Sequence, residues 1–186
     1  MLETLLNIDG GILLFLQETV RNPFLNPIMV VITSLGNAGI IWILLTAALL
    51  IPKKTRKIGC MSACALLATL LFNNILLKNM VARVRPYNAI DGLIPIIKKP
   101  VEFSFPSGHA GSSFASAGVL YRKLPKKYGI WAIVLAVLIS FSRLYVGVHY
   151  PSDVLAGILT GIGCSYLGEW LVLLIEKKTG SMKQQN

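Results

Sequence analysis

"IMVVITSLGNAGIIWILLTAALLI", Ile28–Ile51, is 24 residues without one charge. A helix crossing the hydrocarbon core of a bilayer needs roughly 20 such residues. Ile58–Leu77 is a second uncharged run. These two stretches decide the class: the chain is an all-α, polytopic membrane bundle. Composition agrees, since 54% of the 186 residues are apolar and only 14% charged, against about 25% charged in ordinary soluble domains.

Three later segments continue the pattern. Ser107–Tyr121 is uncharged but rich in Ser, Gly and Ala, Tyr128–Ser142 is apolar and short, and Val154–Ile175 carries one acid, Glu169. The two shorter ones read as buried helices with only their edges on lipid. The count is five spans. Residues 1–27 mix apolar residues with Glu3, Asp9 and Glu18, and read as an amphipathic helix in the interface; a sixth, tilted span is the alternative. They lack the basic start and small-residue cleavage site of a signal peptide. This divides the chain into an N-terminal segment (1–27), a transmembrane domain (28–178) and a polar tail (179–186). Cys60, Cys64 and Cys164 fall inside apolar spans with no CxxC pair, and read as small packing residues.

The formal net charge is +10. Its distribution argues against a nucleic-acid partner. Lys53, Lys54, Arg56 and Lys57 lie between the first two spans, Arg122, Lys123, Lys126 and Lys127 between the third and fourth, and Lys177, Lys178 and Lys183 after the fifth. With five spans all three clusters share one side, which the positive-inside rule makes cytoplasmic. The Val84–Phe105 loop and the Val146–Asp153 turn then face outward. The apolar "GLIPII" of that loop, Gly92–Ile97, either dips into the outer leaflet or packs on the bundle.

Three motifs fall on the outward side. In "KNMVARVRP" (Lys78–Pro86), Lys78 and Arg85 are seven apart, two helical turns, and are expected to share a face. Arg83 is expected to point elsewhere, as a headgroup anchor. The plain reading of this motif is a basic helix end snorkelling to the interface. In "FPSGH" (Phe105–His109), Pro106 is expected in the first helical turn, leaving the N–H groups of Ser107, Gly108 and His109 free for an anion; the plain reading is an ordinary capped helix start. In "SRLYVGVHYPSD" (Ser142–Asp153), Pro151 again marks a helix start. Asp153 then sits in the first turn, able to reach back to His149 and fix its tautomer, or serves only as a cap. Arg143 adds a planar guanidinium suited to phosphate oxygens.

Together the motifs supply cations, two histidines, a carboxylate and a helix N-terminus, the set needed to hold a phosphoryl group, attack it and protonate its leaving oxygen. The other acids are scattered, so no metal or other cofactor is expected.

At these residues the sequence resembles the type 2 phosphatidic acid phosphatase (PAP2) superfamily. The pattern K-x6-RP, PSGH, SR-x5-H-x3-D is met by Lys78, Arg85-Pro86, Pro106–His109, Ser142-Arg143, His149 and Asp153. Residues 1–77 match only in general character. The resemblance implies metal-independent hydrolysis of a lipid phosphate through a phosphohistidine. His149 would be the nucleophile and Asp153 its orienting partner; His109 would protonate the leaving oxygen and then activate water. Lys78, Arg85, Arg143, Ser107 and the Gly108 N–H would hold the phosphate. It also implies a bacterial plasma-membrane protein with its site outside, acting on undecaprenyl pyrophosphate, phosphatidylglycerol phosphate or a phosphatidic-acid-type lipid, with vanadate as a phosphate mimic. A phosphotransferase and a non-enzymatic lipid-phosphate carrier are the rival readings.

Overall fold

A computed structural model describes residues 2–183. It is built from helices: α1 (Leu2–Phe15), α2 (Leu25–Leu35), α3 (Ile40–Leu50), α4 (Arg56–Thr69), α5 (Lys78–Val81), α6 (Gly108–Lys123), α7 (Lys126–Tyr145) and α8 (Pro151–Lys183). Leu70–Leu77 joins α4 to α5 as wider, π-helical turns, and no strand occurs among the described residues. Helices are what a bilayer demands, because lipid offers backbone N–H and C=O groups no other partner.

The chain is a membrane protein, but its spans are less uniform than the sequence suggests. Arg56–Asn88, Lys126–Tyr145 and Pro151–Thr179 are long and apolar enough to cross. Ile28–Ile51 is not one straight helix: α2 and α3 meet at 48° and form a fourth span only as a bent pair. The break is local chemistry, for Ala38 and Gly39 take left-handed backbone angles (φ 50° and 69°) that end one helix and start the next. The segment α6, at 16 residues, is too short to span alone. Three helices, or four spans with the bent pair, are thus long and apolar enough to cross, against the five expected. Tyr128–Ser142 was expected to be mostly buried; it lies in α7, a full-length span with Trp131, Val137 and Leu138 exposed. The helix α8 runs on to Lys183, into the polar residues from Thr179, and 184–186 lie outside the described residues.

The short helix α6 is the centre. Its Ala110, Gly111, Ser113, Ala115, Ser116, Ala117, Val119 and Leu120 are all buried, against α4, α7 and α8. In lipid there is little hydrophobic drive between helices, so small residues that admit close backbones do the packing. A Cβ added at Gly168 of α8 would stand 2.6 Å from Met61 O and Ala65 N of α4. Buried hydroxyls tie the same layers: Trp42 Nε1 donates to Ser113 Oγ at 2.8 Å, and the Thr46, Ser62 and Ser116 hydroxyls form a chain at 2.7 and 2.8 Å. The large exposed residues, among them Leu44, Leu71, Leu159 and Trp170, form the apolar coat that lipid would wet.

At the opposite end from the motifs, the basic clusters pair with acids of α8. Lys57 lies 2.6 Å from Glu176, Arg122 lies 3.1 Å from Glu169, and Lys123 also pairs with Glu169. At the motif end, α1 lies on the bundle with Leu13 buried against Leu93 and Tyr150. The "GLIPII" stretch packs here too: Leu93 is buried, the Ile96 N–H donates to Val146 O at 3.1 Å, and Arg21 holds Ile94 O at 2.5 Å, although the Ile94 side chain remains exposed.

The close α4–α8 contact carries a stability prediction. Gly168→Ala forces Cβ into backbone and should lower stability by about 1–3 kcal/mol. Gly163→Ala, where nothing lies within 4 Å of the added Cβ, should be neutral or stabilising through helix propensity. Thermal melts in one detergent check both.

Candidate active site

Lys78 is the first residue of α5 and is buried. The helix then stops, because Ala82 turns left-handed (φ 47°) and Arg85 is extended. Lys78 and Arg85 therefore do not share a helical face. They converge through the loop: Lys78 Nζ donates to Glu102 Oε2 at 2.5 Å, and Arg85 Nε donates to Glu102 O at 2.8 Å. The Lys78 ammonium holds the Glu102 carboxyl below the usual carboxylate range.

Pro106 is not in the first turn of α6. It precedes the helix, joined to Phe105 by a cis peptide bond, and Ser107 is the N-cap, its Oγ accepting the Ala110 N–H at 3.4 Å. Ser107 is fully buried, and its own N–H donates to Asp153 O at 3.0 Å. The N–H end of α6 thus starts at Gly108, where a Cβ would meet Asn74 Oδ1 at 2.9 Å. Pro151, in contrast, does open α8, and Asp153 lies in its first turn as expected.

His149, Arg85, Arg143, Lys78, Gly108 and His109 line one cavity of about 980 Å³. Arg85 Nη1 donates to Val148 O at 2.9 Å and lies 3.1 Å from His149 Nε2. Arg143 Nη1 donates to Thr33 Oγ1 at 2.7 Å, and its Nε has no partner within the protein. His149 Nδ1 faces Asp153 Oδ2 at 3.5 Å, an ion-pair distance that falls short of hydrogen-bond geometry. Burial, reinforced by Arg85 and Arg143 and opposed by Asp153, lowers the His149 pKa to about 3. The ring is therefore neutral near pH 7 and keeps a lone pair. Asp153 is wholly buried behind it.

Several residues here gave no sequence signal. Arg83 is no headgroup anchor; it donates to Asp153 Oδ1 at 2.7 Å and to Asp9 Oδ2 at 2.8 Å, with its guanidinium 3.8 Å from the Tyr150 ring centre. Ser104 also donates to Asp153 Oδ2. Asn37, in the break between α2 and α3, places Oδ1 3.1 Å from His109 Nε2. Gly36 beside it leaves room for that ring, since a Cβ there would come 2.5 Å from His109 Cδ2. The helix break that the sequence hid is what lets the first span meet His109. Among the described residues no three His, Cys, Asp or Glu side chains are grouped as metal ligands.

The cavity has two characters. Cations and histidines line one part, and Ile43, Leu50, Leu66, Leu67 and Leu70, down between α3 and α4, line the other. Such a space suits an amphiphile with an anionic head.

Comparison with known proteins agrees with this site. The model of the PAP2 superfamily matches residues 59–177, which contain every motif above. The chain is 40% identical over 143 residues to an undecaprenyl-diphosphatase of Sulfolobus acidocaldarius, covering 77% of this chain and 68% of that one. It is 31% identical over 199 residues to a lipid A 4'-phosphatase of Bacteroides thetaiotaomicron, covering 100% and 84%. The crystal structure of a transmembrane PAP2-type phosphatidylglycerolphosphate phosphatase from Bacillus subtilis superposes with a TM-score of 0.72 at 31% identity, covering 94% of this chain and 87% of that one. The chain belongs to the PAP2 superfamily and is a membrane-embedded phosphatase of that family.

Proposed function

We propose that the protein hydrolyses the terminal phosphate of a lipid phosphomonoester or pyrophosphate at the outer face of the membrane, through a phosphohistidine on His149. One observation carries this reading: a neutral, buried imidazole at the cavity wall with a guanidinium at its Nε2 and a carboxylate at its Nδ1. A nucleophile needs a free lone pair, a held substrate beside it and stabilisation of the charge it gains.

The steps follow from these contacts. Lys78, Arg85, Arg143 and the Gly108 N–H hold the phosphate oxygens, with Ser107 fixing the start of α6. As Arg85 Nη1 turns its N–H from His149 Nε2 to a phosphate oxygen, the Nε2 lone pair forms the N–P bond as the bond from phosphorus to the lipid oxygen breaks. The departing oxygen takes a proton from His109. Asp153 stabilises the imidazolium through Nδ1. His109 then accepts a proton from water, the hydroxide forms a P–O bond, the N–P bond breaks, and both rings return to their starting states.

The apolar part of the cavity supports a lipid substrate, and the relatives are named for an isoprenoid diphosphate, lipid A and phosphatidylglycerol phosphate. All of these share a terminal phosphate, which is what the charged part would read. A phosphotransferase would use the same first step and pass the group to a second lipid; labelled phosphate followed with and without an acceptor separates the two. A carrier would release no phosphate at all.

Rapid-quench trapping of acid-labile labelled phosphate tests the roles. His149→Ala should abolish label and turnover. His109→Ala should slow lipid hydrolysis by about 10²–10⁴-fold, the usual worth of general acid–base catalysis, and slow attack on an activated aryl phosphate less. Asp153→Asn should lose much of the rate with the fold retained. Label that persists in His149→Ala and vanishes in His109→Ala would invert the assignment.

Orientation is checked by impermeant thiol labelling in intact cells. With the basic clusters inside, a cysteine at Asn88 should react and one at Lys54 should not; the reverse result places the site in the cytoplasm. Activity should also survive EDTA and be blocked by vanadate, because Lys78, Arg85 and Arg143 line the cavity against one carboxylate, Glu102, which is already paired with Lys78. Loss in EDTA with rescue by Mg²⁺ overturns the mechanism.

A further inference from the structure

Asp9 lies on α1, in the part of the chain that carries none of the family motif, yet it is buried (2% exposed). Its Oδ1 accepts the Ser152 N–H at 3.0 Å, and its Oδ2 accepts from Ser152 Oγ and from Arg83 Nη2, the latter at 2.8 Å. Ser152 is the second residue of α8, so Asp9 satisfies a donor that the helix start leaves free. Arg83 Nη1 donates onward to Ser152 Oγ and to Asp153 Oδ1, both at 2.7 Å. Asp153 Oδ2 accepts from Ser104 Oγ and from the Tyr150 N–H at 3.0 Å, and faces His149 Nδ1.

Charge balance gives this chain of contacts a consequence. Arg83 alone would neutralise Asp153, leaving little field to support a cationic His149. Adding Asp9 gives two carboxylates and one guanidinium, one net negative charge for the one positive charge that the ring gains. Asp9 and Arg83 are largely shielded from water, where such interactions are weakly screened. Tyr150, against the Arg83 face, helps keep water away.

We propose that Asp9 is a positioning residue for the phosphatase reaction: it offsets Arg83, so that Arg83 can orient Asp153 without cancelling the charge that supports the His149 imidazolium. The proposal rests on His149 being the nucleophile. It makes the N-terminal helix part of the catalytic apparatus and gives Arg83 a task distinct from that of the phosphate-holding Arg85, two residues away. If the cluster only pinned α1 to the bundle, shape and hydrogen bonding at residue 9 would matter and its charge would not.

The test compares full-length protein in detergent carrying Asp9→Asn, Asp9→Glu, or Asp9→Asn with Arg83→Gln. The readouts are the rate of phosphoenzyme formation by rapid quench, inhibition by inorganic phosphate, and thermal melting. Asp9→Asn keeps the shape and removes the charge; phosphoenzyme formation should slow roughly tenfold or more, which corresponds to about 1.4 kcal/mol or more of lost transition-state stabilisation. Its inhibition by phosphate, which reads the cations, should stay at the wild-type value. Asp9→Glu should be faster than Asp9→Asn whatever the melts show. The double variant restores the net charge and should also be faster than Asp9→Asn alone. Asp9→Asn at the wild-type rate, Asp9→Glu no faster than Asp9→Asn, or a double variant no faster than Asp9→Asn would each overturn the proposal. His149→Ala runs alongside: label persisting there would sink the nucleophile assignment itself, whereas its loss there with a wild-type rate in Asp9→Asn sinks only the role of Asp9.

Discussion

Asp153 has no exposed surface, and a buried carboxylate must be matched by donors or opposite charge. Meeting that requirement organises the motif end of the bundle. Arg83, after α5, and Ser104, in the following loop, donate to its two oxygens, the Tyr150 N–H comes from the turn between α7 and α8, and His149 faces it from the same turn. Arg83 in turn recruits Asp9 and hence α1. Four separate parts of the chain meet because one carboxylate has to be satisfied, and the imidazole placed by that meeting lies at the cavity wall with its Nε2 3.1 Å from Arg85 Nη1.

The rest of the bundle makes such a polar knot tolerable. Its outer surface is apolar and its interior is held by small residues and paired hydroxyls, so the strong charges are confined to the two ends. At the basic end they form ion pairs with α8 that are partly exposed, and such pairs contribute little stability. At the motif end they are buried and tied to one another. The two ends thus differ in burial, with partly exposed pairs at one and buried, mutually bonded groups at the other.

The bent first span links these layers. A straight helix over 28–51 would carry a continuous apolar face past the site. The left-handed angles at Ala38 and Gly39 interrupt it at the depth of His109, bring Asn37 to that ring and leave space at Gly36 for it. The same break, with the groove between α3 and α4, continues the charged cavity into an apolar one. The polar and the apolar parts of the cavity thus share one interrupted helix.

Long uncharged runs, the segregation of Lys and Arg, and the spacing of Lys78, Arg85, His109, Arg143, His149 and Asp153 were enough to read a membrane bundle and a phosphate-handling site. Those signals are local or periodic: bilayer thickness sets run length, and the chemistry sets residue type. Tertiary structure alone decided the bend at residues 36–39, the start of α6 at Gly108 instead of Pro106, and the meeting of Lys78 and Arg85 through a loop. It also moved Arg83 from the membrane surface to Asp153 and brought in Asp9, Ser104 and Asn37. These were hidden because a partner 70 or 143 residues away along the chain leaves no periodic trace, and a single buried charge or amide differs from a surface one only in what folding places beside it.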